Sequence, residues 1–189
     1  MPENAQELYT RSVDDLQTPA VETWDTWPFE GAIRPRALAA PSGEPVRQGE
    51  HGVDCPACAK PDSDYLWTDD TWRLLAPEPG GLPVVVLVEP RAHYDGPAGM
   101  PDDALRDMGA MLGRVERAVL SVGNIGRVHI GRWGEGAEHL HWWFIARPAG
   151  FPQLASSMAE IWNDVLPPTP DEVWHDNLAR VVAALRAGD

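Results

Sequence analysis

Cysteine is nearly absent: the 189 residues contain only Cys55 and Cys58. Positive charge is scarce too, since 15 Lys and Arg stand against 29 Asp and Glu, a formal net charge of −14. So acidic a surface repels phosphate backbones. It argues against general nucleic-acid binding and leaves room only for a local pocket that takes a small anion. No apolar run approaches the roughly 18 residues of a membrane span, so no membrane association is expected. The opening MPENAQELYTRSVDD lacks the basic-then-apolar pattern of a secretory leader, and a cytoplasmic protein is expected. In that compartment two cysteines read as a metal pair or a redox pair rather than a structural disulfide. The chain shows no repeat and no low-complexity tract.

What is present describes a globular chain. Hydrophobic residues make up 43% and nine residues are Trp, enough for one domain with a real core. Residues 1–50 read as an irregular arm, with Pro19, Pro28, Pro35, Pro41 and Pro45 and a Trp pair at Trp24 and Trp27. A short helix is expected near 3–15, and the aromatics predict an arm that packs on the body. From 54 the texture changes. DCPAC is a compact turn, and the stretches 65–67 and 72–76 read as two short strands around Asp69 and Asp70. VVVLVEP (84–90) is a continuous β-branched run, the mark of a central strand buried on both faces. Pro101-Asp102-Asp103 opens a helix with acidic residues in its first turn. Leu105, Met108, Leu112, Val115 and Val119 keep helical spacing, and Gly123 and Gly126 end it. RVHIGRW (127–133) and HLHWWFIA are two further strands, joined through GEGAE as an antiparallel hairpin. Two helical stretches, roughly 153–165 and 171–186, are split by LPPTP. The expected class is α+β, an antiparallel sheet of about five strands with one main helix across it.

The chemistry concentrates at Glu138-His-Leu-His-Trp-Trp-Phe-Ile-Ala-Arg147. On a strand, His139 and His141 share a face, and two histidines on one face suggest a site. Zinc takes four Cys and His ligands in tetrahedral geometry. CPAC offers two thiolates, His93 follows the central strand, and His139 opens the last one, so a Cys₂His₂ site from Cys55, Cys58, His93 and His139 is expected. A redox pair needs CxxC running into a helix, and the following AKPDSD opposes one. A reduced, solvent-facing CxxC with two ordinary histidines is the plainer alternative.

Pro90-Arg-Ala-His93, a helix, a strand and then His139-Leu-His-Trp-Trp-Phe-Ile-Ala-Arg147 resemble the histidine-triad (HIT) superfamily over roughly 54–150. The motif of that superfamily is His-x-His-x-His followed by apolar residues. The resemblance implies a nucleotide hydrolase or nucleotidyltransferase, with a structural zinc on the same four residues as in the zinc-containing branches. It implies that His141, the second motif histidine, is the nucleophile that takes a nucleotidyl group from the α-phosphorus. It also implies a homodimer through sheet edge and helix. The corresponding organisation is an arm (1–50), a HIT-like domain (51–150) and a C-terminal helical extension (151–189).

The chain departs from the family on the substrate side. The third triad position is Trp143, which has one N–H donor and no charge. The loop before the motif, Arg132 to Glu138, lacks the usual phosphate-binding polar residues. Gly134 and Gly136 offer backbone N–H groups to an anion, while Glu135 and Glu138 oppose one. Where the family often has an acidic residue for the ribose, this chain has Ala76, with Glu78 nearby. Trp143, Arg132, Gly134 and Gly136 are the candidate substrate-binding residues for a small nucleotide or phosphate-containing ligand. Arg147 and Arg91 are further cations that could serve phosphate; a surface charge or a pairing with one of the many carboxylates is the alternative for all three arginines, and it is the expected one for Arg91. His129, His51 and His175 are expected to be structural or surface residues. A zinc-stabilised HIT-like domain that binds ligands or proteins without turnover is the alternative to the enzyme.

Overall fold

The computed structural model describes residues 24–31, 40, 42–155 and 157–188. The helix expected near 3–15, and most of the arm expected to pack on the body, lie outside the described residues. The chain divides into two compact units, Met1–Pro45 and Val46–Asp189. Within the first, the Trp27 N–H donates to the Trp24 carbonyl at 2.9 Å, and the Trp27 ring meets Phe29 edge-on.

The second unit holds five strands: β1 (Trp67–Thr68), β2 (Trp72–Leu75), β3 (Val84–Pro90), β4 (Ile125–Gly131) and β5 (Trp142–Pro148). They form one antiparallel sheet in the order β1-β2-β3-β5-β4. Its helices are α1 (Pro56–Ala59), α2 (Asp102–Leu120), α3 (Met158–Val165) and α4 (Asp171–Ala187). The expected α+β class and the five-stranded sheet with its crossing helix are what the structure has.

β3 is buried at every position, as its unbroken apolar run requires. Leu74 pairs with Val88 and Val86 with Phe144, and all four are fully buried. α2 lies across this sheet on Met111, Val115, Ala118 and Val119. α4 lays Trp174, Leu178, Val181 and Leu185 into the same core. Each Val, Leu and Met among these contributes roughly 1.5–3 kcal/mol on burial. Among the described residues no helix is long and apolar enough to cross a membrane.

The first strand is Trp67–Thr68 rather than 65–67 and the fourth Ile125–Gly131 rather than 127–133, and three further differences bear on the site. Gly126 does not end α2; it lies inside β4, at a register shift between Ile125 and Arg127. The helical stretch after Pro152 begins only at Met158. Most consequential, β5 begins at Trp142, so His139 and His141 precede the strand rather than ride on it. The ladder stops there because β3 ends in Pro90, which has no N–H to offer. The His139 ring takes the Pro90 carbonyl instead, and the Leu140 N–H donates to the Tyr94 carbonyl.

Candidate metal centre and histidine cleft

CPAC folds as a single helical turn. Pro56 occupies a first-turn position, where its missing N–H costs nothing, and the Cys55 sulfur accepts the Cys58 N–H at 3.5 Å. Both sulfurs therefore sit at one end of α1. Gly49, at φ +72°, lies so close that a Cβ there would come within 2.9 Å of the Cys55 Cβ. That position needs glycine for both space and conformation.

Cys55 Sγ and Cys58 Sγ each lie 3.5 Å from His139 Nδ1, and Cys58 Sγ lies 3.5 Å from His93 Nδ1. One donor atom from each of the four residues falls within 4.8 Å of every other. Zinc bonds of about 2.3 Å to sulfur and 2.0–2.1 Å to nitrogen give a tetrahedral S···N edge of roughly 3.6 Å. The three S···N separations match it, so the four residues fit zinc. The structure brings together all four ligands expected from the sequence.

The imidazoles are oriented from behind. His139 Nε2–H donates to the Pro90 carbonyl at 2.8 Å, leaving Nδ1 with its lone pair towards the thiols. His93 Nε2 lies 3.3 Å from Glu138 Oε1. Glu138 is nine-tenths buried and also accepts the His51 N–H at 3.0 Å and Arg47 Nη2 at 3.3 Å. This is the outer hydrogen bonding that fixes tautomer and aim in metal-binding histidines. A bridge from Gln48 to Ala137 holds the two segments together, and Arg47 clamps Asp95 at 2.7 Å. The hydrogen bond from Arg47 holds the Asp95 carboxyl below the usual carboxylate range. Burial, and then the neighbouring Cys55, push the Cys58 thiol up to about 11. Burial pushes His139 below the ordinary imidazole value. Without a cation, then, Cys58 holds its proton.

Behind this centre lies a buried ion pair. Arg73 Nη2 sits 2.9 Å from Glu89 Oε1, across the β2–β3 register pair. The Tyr65 hydroxyl donates to the same Glu89 oxygen at 2.5 Å, and the Arg73 guanidinium lies 4.6 Å from the Tyr65 ring centre. Burial raises the Tyr65 phenol well above its usual range. Arg73 Nε is buried with no hydrogen-bond partner among the described residues. The sequence reading missed Arg47, Glu89, Arg73 and Tyr65, and it read Glu138 only as an opponent of phosphate. The sole sequence signal was the charge of Glu89 in an otherwise apolar strand.

His141 is not part of the metal cluster. Its Nδ1–H donates to the His139 carbonyl at 2.9 Å, and its Nε2 has no partner among the described residues. The ring lines two adjoining clefts that share Gln48 and Ala137. One, of about 200 Å³, is walled by Cys55, Lys60, Tyr65, Leu87, Glu89 and His139. The other, of about 360 Å³, is walled by Trp133, Glu135, Gly136, Trp143 and Glu160. Trp143 and Gly136 thus share a cleft with His141.

The cations do not. Arg132 donates to the Asp95 carbonyl at 2.6 Å, Arg91 makes a two-pronged pair with Asp62 at 2.7 and 2.8 Å, and Arg147 turns to the Phe151 carbonyl. Gly134 gives its carbonyl to Arg47 and lies against the Arg132 guanidinium, outside both clefts. Arg91 is paired with a carboxylate as expected, whereas Arg132 and Arg147 are engaged mainly by backbone carbonyls. Ala76 and Glu78 line a separate cleft against α4. His129 sits half-buried on β4, with Nε2 covered and unpartnered among the described residues.

Sheet order, crossing helix and histidine-bearing entry to the last strand together define a histidine-triad fold. The solved structures similar to this chain carry the same fold. A hypothetical histidine triad nucleotide-binding protein from Sulfolobus tokodaii is 15% identical, with a TM-score of 0.53 over 70% of this chain and 93% of that one. A histidine triad protein from Bradyrhizobium japonicum is 20% identical, with a TM-score of 0.52 over 66% and 90%. A Zn-bound histidine triad family protein from Mycobacterium smegmatis is 20% identical, with a TM-score of 0.50 over 72% and 88%. No family profile and no curated protein matches the chain.

Proposed function

We propose that this chain is a zinc-stabilised phosphoryl or nucleotidyl hydrolase or transferase that uses His141 as its nucleophile on a small nucleotide-like phosphate compound. The observation that carries the reading is the bond from His141 Nδ1–H to the His139 carbonyl. It selects the tautomer whose Nε2 lone pair is free beside two clefts, and it receives the positive charge that builds on the ring during attack. Nε2 forms a bond to phosphorus as the bond from phosphorus to the leaving oxygen or nitrogen breaks. The leaving group departs with that electron pair and takes a proton from water. Water, or another hydroxyl acceptor, then adds to phosphorus, loses a proton and displaces the neutral imidazole.

Cys55, Cys58, His93 and His139 hold the zinc in this reading, and the metal ties α1, the β3–α2 turn and the entry to β5 together. Such a site contributes to folding rather than to the reaction. The matched S···N distances favour it over a redox role for the cysteines. Lys60, the only lysine in the chain, is the cation lining the smaller cleft.

A second reading, ligand binding without turnover, is favoured by the engaged Arg91, Arg132 and Arg147. Hydrolysis of a panel of nucleoside phosphoramidates, dinucleotides and nucleotide sugars separates the two. Product release by the native protein, lost in His141→Ala while zinc content is unchanged, is the expected result. No turnover from a folded, zinc-loaded protein would leave the binding reading.

A further inference from the structure

The larger cleft beside His141 is walled by three rings in series. His141 meets Trp143 at 6.2 Å between centroids and 70°, and Trp143 meets Trp133 at 6.3 Å and 78°. The corner is built by the sheet. Trp143 on β5 pairs with Gly131 on β4, and the missing side chain lets the Trp133 ring fold back over the strand. A Cβ at Gly131 would come within 2.8 Å of that ring. Trp133 is therefore seated, although 43% of it is exposed. Two carboxylates complete the rim, Glu135 from the β4–β5 loop and Glu160 from the first turn of α3.

Among the described residues no cation claims this corner. Among the described residues neither Glu135 nor Glu160 has an ion-pair partner, and no Lys or Arg lies over Trp133 or Trp143. Arg132, next to Trp133 in the chain, is turned to Asp95, and Arg47, next to Gln48, is paired with Asp95, Glu50 and Glu138. An anion meets no positive group among these walls and is opposed by both carboxylates. A neutral apolar group gains nothing from that rim. A cation gains from both features, since indole faces attract positive charge and so do unpaired carboxylates. A small hydrated metal ion makes no use of aromatic walls, whereas an alkylated ammonium does.

We infer that the Trp133–Trp143–Glu135–Glu160 corner is a subsite for an organic cation of the alkylated-ammonium class, adjoining His141. The test is a binding titration, independent of turnover. Choline is titrated into the zinc-loaded protein and read by calorimetry and by the indole N–H NMR signals, beside its neutral isostere 3,3-dimethylbutan-1-ol. Choline is expected to saturate, to bind at least about tenfold tighter than the isostere, and to shift two indole signals that vanish in Trp133→Leu and Trp143→Leu. Affinity is expected to fall about tenfold in Glu135→Gln/Glu160→Gln and to weaken with added salt. Both glutamates are exposed, so that variant tests charge rather than folding. Gly131→Ala, which crowds the Trp133 ring, should weaken choline as well. Equal binding of the neutral isostere, no saturable choline signal, or full affinity in the double glutamate variant would each overturn the assignment.

Discussion

Replacing Glu89 by Leu breaks the one buried ion pair of the sheet and leaves a guanidinium behind. Arg73 and Glu89 keep only 4% and 8% of their side-chain surface, so water does not compensate the stranded charge. Removing one partner of such a pair costs about 3–5 kcal/mol. Tyr65 contributes little to that loss, because its hydroxyl also lies 3.4 Å from the Ala57 carbonyl and keeps an acceptor. For a domain of this size about 1 kcal/mol shifts Tm by roughly 2–4 °C, so a fall of about 6–20 °C is expected. The double replacement Arg73→Leu/Glu89→Leu removes both desolvation penalties and Arg73's unpartnered Nε. It should recover most of the loss, to within about 1–2 kcal/mol of the native protein. Urea unfolding followed by Trp fluorescence at fixed zinc measures the cycle, with an unchanged m-value as the check on two-state behaviour. A Glu89→Leu cost below about 1 kcal/mol, or a double variant no better than the single, would refute the reasoning.

The titratable groups yield three more outcomes. Because Cys58 holds its proton up to about 11 without a cation, zinc loading at pH 7.5 should release at least one proton per metal, read with a pH indicator; loading without release would contradict the ligand set. Glu138→Gln weakens the hold on His93 and should lower zinc affinity about 10–100-fold in a chelator competition, with no effect if Glu138 merely fills space. In the metal-free protein, burial lowers both His129 and His139. The unfolded chain then takes up protons first, so their contribution is complete above about pH 6.5 and is lost as pH falls through the folded values. Urea unfolding at pH 7.5 and 5.5 should show that loss shrinking in His129→Gln; an equal loss in both proteins would count against it.

Much of the fold was legible because periodicity survives in a single sequence. The VVVLVEP run, the Leu105-to-Val119 spacing and the Gly-rich link between β4 and β5 each encode an element directly. The four candidate metal ligands were legible because CxxC and the two histidines are rare residue types at strand and turn boundaries. Register was not: nothing local says that Pro90 halts the ladder and puts His139 before β5. The supporting groups were hidden for a similar reason. Arg47 and Glu138 meet 91 residues apart, and the pairing of Arg73 with Glu89 follows only from strand register. The arginines expected at phosphate are satisfied by carboxylates and carbonyls whose proximity is tertiary.

The central claim is that His141 attacks phosphorus. Its most direct test is intact-protein and peptide mass spectrometry on zinc-loaded protein quenched in base during incubation with the phosphoramidate, dinucleotide and nucleotide-sugar panel. The account predicts a nucleotidyl or phosphoryl mass on the peptide carrying His141, absent in His141→Ala. Product formation with that peptide unmodified throughout, or undiminished in the variant, would contradict it.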